Sequence, residues 1–175
     1  MLGEIRDTET ANIAVRAAIT GHLVLSTLHT NDAPSTIARL IDMGIEPFLL
    51  ATSLNGVIAQ RLVKRLCDKC KEEYVPTDKE YGCLDLFDKS DIHFYKPVGC
   101  KYCNNTGYSG RIGVFEVMPI TSNIKQLINR GATTDEIKFV AMREGLNTIW
   151  RSCSKLVAQG MTTIDELIRI AYVEE

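Results

Sequence analysis

Residues 2–32 read LGEIRDTETANIAVRAAITGHLVLSTLHTND, and the parsing of this stretch decides the fold. Met1-Leu2-Gly3 has the pattern of the last residues of an apolar strand, so the expectation is that the strand starts upstream. Asp7 or Thr8 is placed to cap a helix, with Glu9 in its positive first turn. Ile13, Ala14, Ala17 and Ala18 recur at helical spacing, and Gly21 suits the residue just past the end. His22 to Leu28 is short and mostly apolar, as a buried strand is. Strand, helix and strand make a βαβ unit, with parallel strands and a right-handed crossover. Parallel strands would leave Glu4 and His29 on one carboxyl edge, where open α/β sheets bind ligands.

Outward from this stretch, Asp32 reads as the cap of a second helix with Pro34 in its first turn. Ile37, Leu40 and Ile41 form its apolar stripe and Gly44 ends it. Pro47 opens another apolar helix to about Leu54. Gly56–Leu66 (GVIAQRLVKRL) alternates apolar and polar residues (Val57, Ala59; Leu62, Lys64, Leu66), the pattern of a strand. The whole chain is 175 residues, 45% hydrophobic and 24% charged, with a formal net charge of −2. That composition supports a real core, and its charge gives no electrostatic case for nucleic acid or an anionic membrane. There is neither a signal-peptide pattern nor an apolar run of the roughly 18 residues a membrane span needs. A cytosolic chain is the expectation, and its six cysteines are then thiols or metal ligands rather than disulfides.

Cys67-x-x-Cys70 and Cys100-x-x-Cys103 can supply four thiolates to tetrahedral zinc. Four protein ligands leave no open position, so the ion would be structural. The chain between the pairs is rich in charge and weakly periodic, with a short helix expected near Lys79–Phe87. A segment this short buries too little surface to stand alone and wants such a staple. Cys83 lacks partner spacing and reads as a free thiol. Asn104–Gly110 is a turn-rich link, and Arg111–Met118 reads as a strand with Ile112, Val114 and Phe115 among its apolar residues. For Arg111 and Glu116 an internal ion pair or a solvated edge is the simplest reading. Helices follow near Asn123–Asn129, Asp135–Arg143, Asn147–Gln159 and Ile164–Tyr172. Thr163-x-x-Glu166 has the form of a capping box. Trp150, Met142 and Cys153 read as core, and a small helical bundle is the economical picture.

GEIRDTET, TGHLV and STLHTND resemble, in this order and spacing, successive motifs of the secretion and pilus-assembly ATPases. Taken singly, a glutamate beside a strand end is most often solvated or salt-bridged, and a histidine after a strand is most often structural. The joint pattern overturns that reading. GYSGRIGVFEVMPI also resembles the family's GYxGRxGxxE segment. The resemblance implies a RecA-type parallel-sheet core over residues 1–66, a tetracysteine zinc subdomain over 67–103, and a strand plus helical region over 104–175. Glu4 would orient or activate the attacking water near magnesium, and His29 would contact the terminal phosphate of ATP. His22 and Arg6 would support the nucleotide site. The implied parent is a cytoplasmic homo-hexamer, peripheral at the inner face of the membrane and working with inner-membrane platform proteins. A tetracysteine insert is a feature of extension and secretion motors, and retraction motors generally lack it.

No G-x-x-x-x-G-K-[ST] occurs in the chain, so the amides and lysine that cradle phosphates are expected upstream. The 175 residues alone are therefore expected not to hydrolyse ATP. The competing class is a non-enzymatic zinc-ribbon adaptor for a protein or nucleic acid. The near-neutral charge and the absence of a basic aromatic stripe weigh against it.

Overall fold

The computed structural model describes residues 1–86 and 92–171. The end of the helix expected to reach Tyr172 lies outside the described residues, whereas the helix expected to run to Phe87 ends already at Gly82. The chain forms two compact units, each built from two separate stretches. Unit 1 is Met1–Ala59 with Glu116–Leu146, and unit 2 is Gln60–Phe115 with Asn147–Glu175.

In unit 1, α1 (Thr8–Ile19) starts at Asp7, whose carboxylate accepts the Thr10 amide at 2.8 Å. Its buried face is Ala11, Ala14 and Val15, while Ile13 stands 56% exposed. The buried stripe is thus turned by about one position from the expected one, and α1 packs on α3 (Pro47–Ser53). The flanking runs do lie side by side and point the same way. Leu2 N–H donates to Leu25 and Ile5 N–H to Thr27, both at 2.9 Å. Neither run becomes a regular strand, which corrects the expected parallel sheet. Two backbone bonds do not make a ladder, and Leu23 and Leu25 remain 80% and 58% exposed.

Helix α2 (Ala33–Asp42) is capped by Asp32 on Ser35 N–H, and it buries Ile37 and Leu40. Helix α5 (Ser122–Asn129) packs on α3 and on α6 (Thr134–Arg143), and α6 also meets α2. The α6 start is a true capping box, Thr133 with Glu136. Met142, expected in the core, is 38% exposed.

Two long strands pass between the units. The chain leaves unit 1 within β1 (Gly56–Leu66) and returns within β4 (Tyr108–Pro119), and the two strands pair. The inward residues of β1 are Ala59 and Val63, then Leu66. Leu62 faces out at 52% exposure, against the expected alternation. The step shifts at Lys64, whose amide is taken by the Glu166 carboxylate at 2.7 Å.

Unit 2 contains a short antiparallel pair, β2 (Glu72–Tyr74) with β3 (Phe94–Lys96), between the two cysteine turns. Three-residue strands carry no readable periodicity, so the sequence showed only loop here. Helix α4 (Asp78–Gly82) has a Thr77–Glu80 capping box. Helix α7 (Ile149–Ala158) packs on β3 and on α8 (Ile164–Ala171). The four last helices thus form as two pairs, α5 with α6 in unit 1 and α7 with α8 in unit 2. Trp150 of α7 donates to the Cys83 carbonyl at 3.0 Å, and Arg151 holds Asp85 through two bonds of 3.1 Å.

Candidate functional site

Glu4 lies within the first bonded run, between Leu2 and Ile5, and His29 two residues past Thr27 in the second, so the two runs deliver both to one edge. His29 Nε2 meets Glu4 Oε1 at 2.9 Å, and the Arg6 guanidinium sits on Oε2 through Nε at 2.7 Å and Nη2 at 2.6 Å. Thr27 supports the pair locally, its hydroxyl donating to the Gly3 carbonyl at 2.8 Å. The Arg6 hydrogen bond, with smaller contributions from the charges of Arg6 and His29, holds the Glu4 carboxyl below its ordinary value of 4.5. Both carboxylate oxygens are occupied in this arrangement. A glutamate so ionised is in the form that accepts a proton from water, and Oε1 keeps a lone pair beyond its present partner.

His22 lies elsewhere. Its ring Nδ1 stands 3.1 Å from the Thr20 hydroxyl at the end of α1. Six residues of extended chain, Leu23 to Leu28, separate it from His29, roughly 20 Å along the run. A cleft of about 500 Å³ opens on that side, lined by Met1, Ile13, His22 and Leu23, and it includes neither Glu4 nor His29. The Glu4–His29 pair lies on open surface instead, with the His29 side chain 90% exposed.

The four cysteines of the two turns come together in unit 2. Sulfur separations are 3.9 Å for Cys67–Cys100 and 3.8 Å for both Cys70–Cys103 and Cys100–Cys103. All four sulfurs lie within 4.8 Å of one another. A tetrahedron with metal–sulfur bonds of about 2.3 Å has edges of about 3.8 Å, so the donor set and its spacing fit one tetrahedral ion. Backbone amides of Cys100 and Gly107 each point at Cys103 Sγ at 3.2 Å. Burial acts to raise the Cys103 thiol, but these amides and the neighbouring thiols outweigh it and bring it to about 6. Cys70 is pushed up to about 12, chiefly by burial. Cys83 stands apart, its thiol on the Lys79 carbonyl at 3.2 Å. Cys153 is fully buried, and burial pushes its thiol up to about 12.

Two carboxylates are buried, and of the internal and solvated positions open to Glu116 the structure takes the internal one. Glu116 is 2% exposed and accepts the Ala33 amide at 2.8 Å, so it is no solvated edge. The signal was present in the parity of β4, where Val114, Glu116 and Met118 all point inward. Glu166 makes only half of the expected capping box. Its amide bonds Thr163, but its carboxylate serves Lys64 N–H and Arg169 instead. Arg111 is exposed.

Comparison with known proteins agrees with this geometry. Residues 1–169 match the family model described as type II/IV secretion system protein. The chain is 48% identical over 172 residues to the type IV pilus assembly ATPase PilB of Myxococcus xanthus, covering 96% of this chain and 30% of the relative. It is 44% identical over 174 residues to the type II secretion system protein E of Pseudomonas aeruginosa, covering 99% of this chain and 34% of the relative. Among solved structures, the pilus retraction motor PilT with bound ADP matches with a TM-score of 0.64 at 26% identity, over 96% of this chain and 38% of that one. The Yersinia pseudotuberculosis ATPase DotB shares the fold, with a TM-score of 0.65 at 19% identity over 98% of this chain and 37% of that one. The chain spans about a third of the length of these curated relatives. No described helix is long and apolar enough to cross a membrane. The chain has an α/β fold with a tetracysteine cluster and belongs to the type II/IV secretion system protein family.

Proposed function

We propose that these residues form the C-terminal part of a hexameric ATP-hydrolysing motor that assembles type IV pili or drives type II secretion. The observation that carries the reading is the 2.9 Å contact between Glu4 and His29, in a chain nearly half identical to a pilus assembly ATPase. The two extended runs and α1 would be part of a RecA-type core, and the helical region after residue 104 would contribute to ring contacts. Glu4 orients and deprotonates the attacking water. His29 donates to charge developing on the terminal phosphate, the kind of electrostatic assistance phosphoryl transfer depends on. Magnesium, when bound with ATP, neutralises phosphate charge. Arg6 is positioned to exchange Glu4 for a phosphate oxygen.

The tetracysteine cluster holds structural zinc, since four thiolates leave no coordination position for water. Its presence favours an extension or secretion motor over a retraction motor. Such a motor acts in the cytoplasm against platform proteins of the inner membrane. The phosphate-binding loop lies in the longer protein, so the 175 residues alone do not turn over ATP.

Replacing Glu4 by Gln in the longer protein tests this reading. Nucleotide affinity is expected to stay within a few-fold while hydrolysis falls by 10² or more. Unchanged turnover would remove Glu4 from the mechanism.

A further inference from the structure

The structure assigns Glu116 a positioning role: its buried carboxylate fixes the first amide of α2 and, through residues 29–32, holds His29 in place against Glu4. This inference rests on the reading of Glu4 and His29 as the hydrolytic pair.

The His29 ring is 90% exposed, so packing does not orient it. Its place comes from the backbone on either side. Before it, Thr27 is fixed by the Ile5 amide at 2.9 Å and by its own hydroxyl on the Gly3 carbonyl. After it, the chain enters α2 at Ala33, which is 0% exposed. The first amides of a helix have no partner within the helix. Asp32 serves Ser35 N–H, and Glu116, 83 residues away in sequence, serves Ala33 N–H at 2.8 Å. Buried as it is, Ala33 N–H has no water to turn to, and the positive end of the helix favours an ionised acceptor. The Thr30–Thr36 hydroxyl contact at 2.9 Å ties the intervening residues to the same helix. Only Thr30, Asn31 and Asp32 therefore separate His29 from an anchor that lies inside the core. An apolar residue at 116 would suit the inward row of β4, yet it would leave that amide unpaired and the turn free to shift.

NMR on the 175-residue chain at fixed pH tests the role, reading the His29 ring resonances and the exchange rate of the Ala33 amide. Glu4→Gln supplies the ring position expected when the Glu4–His29 contact is weakened. Glu116→Ala is expected to move the ring resonances at least halfway toward that position and to speed Ala33 exchange more than tenfold. Glu116→Gln retains an acceptor oxygen and should speed exchange by about tenfold, since charge-assisted bonds are roughly twice as strong as neutral ones, with a smaller ring shift in the same direction. A control that only loosens the core, Ile128→Val in α5, should leave the ring where it is. Wild-type ring resonances in folded Glu116→Ala would overturn the inference. Should that variant fail to fold, wild-type exchange and ring resonances in Glu116→Gln would overturn it. ATP turnover plays no part in these readouts, so an active Glu4→Gln motor would sink the functional reading while leaving this test intact.

Discussion

Replacing Glu166 by Ala is expected to destabilise unit 2 by about 3 kcal/mol. Glu166 is 4% exposed, and one oxygen accepts both Lys64 N–H at 2.7 Å and Arg169 Nη2 at 2.8 Å. Truncation strands the Lys64 amide in a half-buried strand, at about 1–3 kcal/mol. The Arg169 contact, with its side chain 53% exposed, adds no more than roughly 0.5 kcal/mol after solvent screening. The lost methylene adds about 0.8 kcal/mol. The chain has a single tryptophan, Trp150, and it lies in unit 2. Its fluorescence during urea and thermal unfolding therefore reports this unit. For a unit of about 85 residues, 3 kcal/mol corresponds to a midpoint drop of roughly 12–24 °C. Glu166→Gln keeps an acceptor oxygen and should lose only about 1 kcal/mol. A loss below 1 kcal/mol in the alanine variant would show that the carboxylate does not hold β1 in place.

Metal analysis should find about one zinc per chain, and stripping it should lower the Trp150 midpoint; chain isolated without chelator that carried no zinc, with all four thiols freely reactive, would contradict the centre. Carbon-13 NMR should show the Glu4 carboxyl titrating below 4.5. Because the folded value is lowered, the stabilisation from Glu4 is in full force above about 4.5 and fades as pH falls through the folded value. Arg6→Gln should raise that midpoint toward 4.5, and an unmoved midpoint would assign the shift to another cause. Gly107→Ala should cost at least about 2 kcal/mol, since Gly107 has φ +77° and an added Cβ would lie 2.4 Å from Pro97 Cβ. It should weaken zinc binding too, through the amide on Cys103, and wild-type stability together with wild-type zinc affinity would refute this.

Features set by near neighbours were legible in the sequence. The Asp7 and Asp32 caps act within three residues, and the cysteine turns carry their geometry in their spacing. Features set across the chain were not. Thr163-x-x-Glu166 has the letters of a capping box, but the carboxylate is captured by an amide 102 residues away. Ile13 has helical spacing, yet α1 turns it outward and buries Ala11, Ala14 and Val15. Glu4 and His29 were placed on one edge by the crossover argument, and the backbone bonds between the runs bring them together, although no regular parallel sheet forms around them. Glu116 was visible only through strand parity, because nothing local distinguishes a buried glutamate from an exposed one.

The segment between the cysteine turns is sewn to α7. Lys71 donates to the Gly160 carbonyl at 2.8 Å, Ser154 accepts the Asp85 amide, and Trp150 and Arg151 reach Cys83 and Asp85. Gly160 itself has no room for a side chain, since an added Cβ would lie 2.6 Å from the Tyr95 ring. This segment is therefore no cassette that could be cut out of unit 2 while the rest of that unit stayed as it is. Excising it would expose an α7 surface already shaped to its partner.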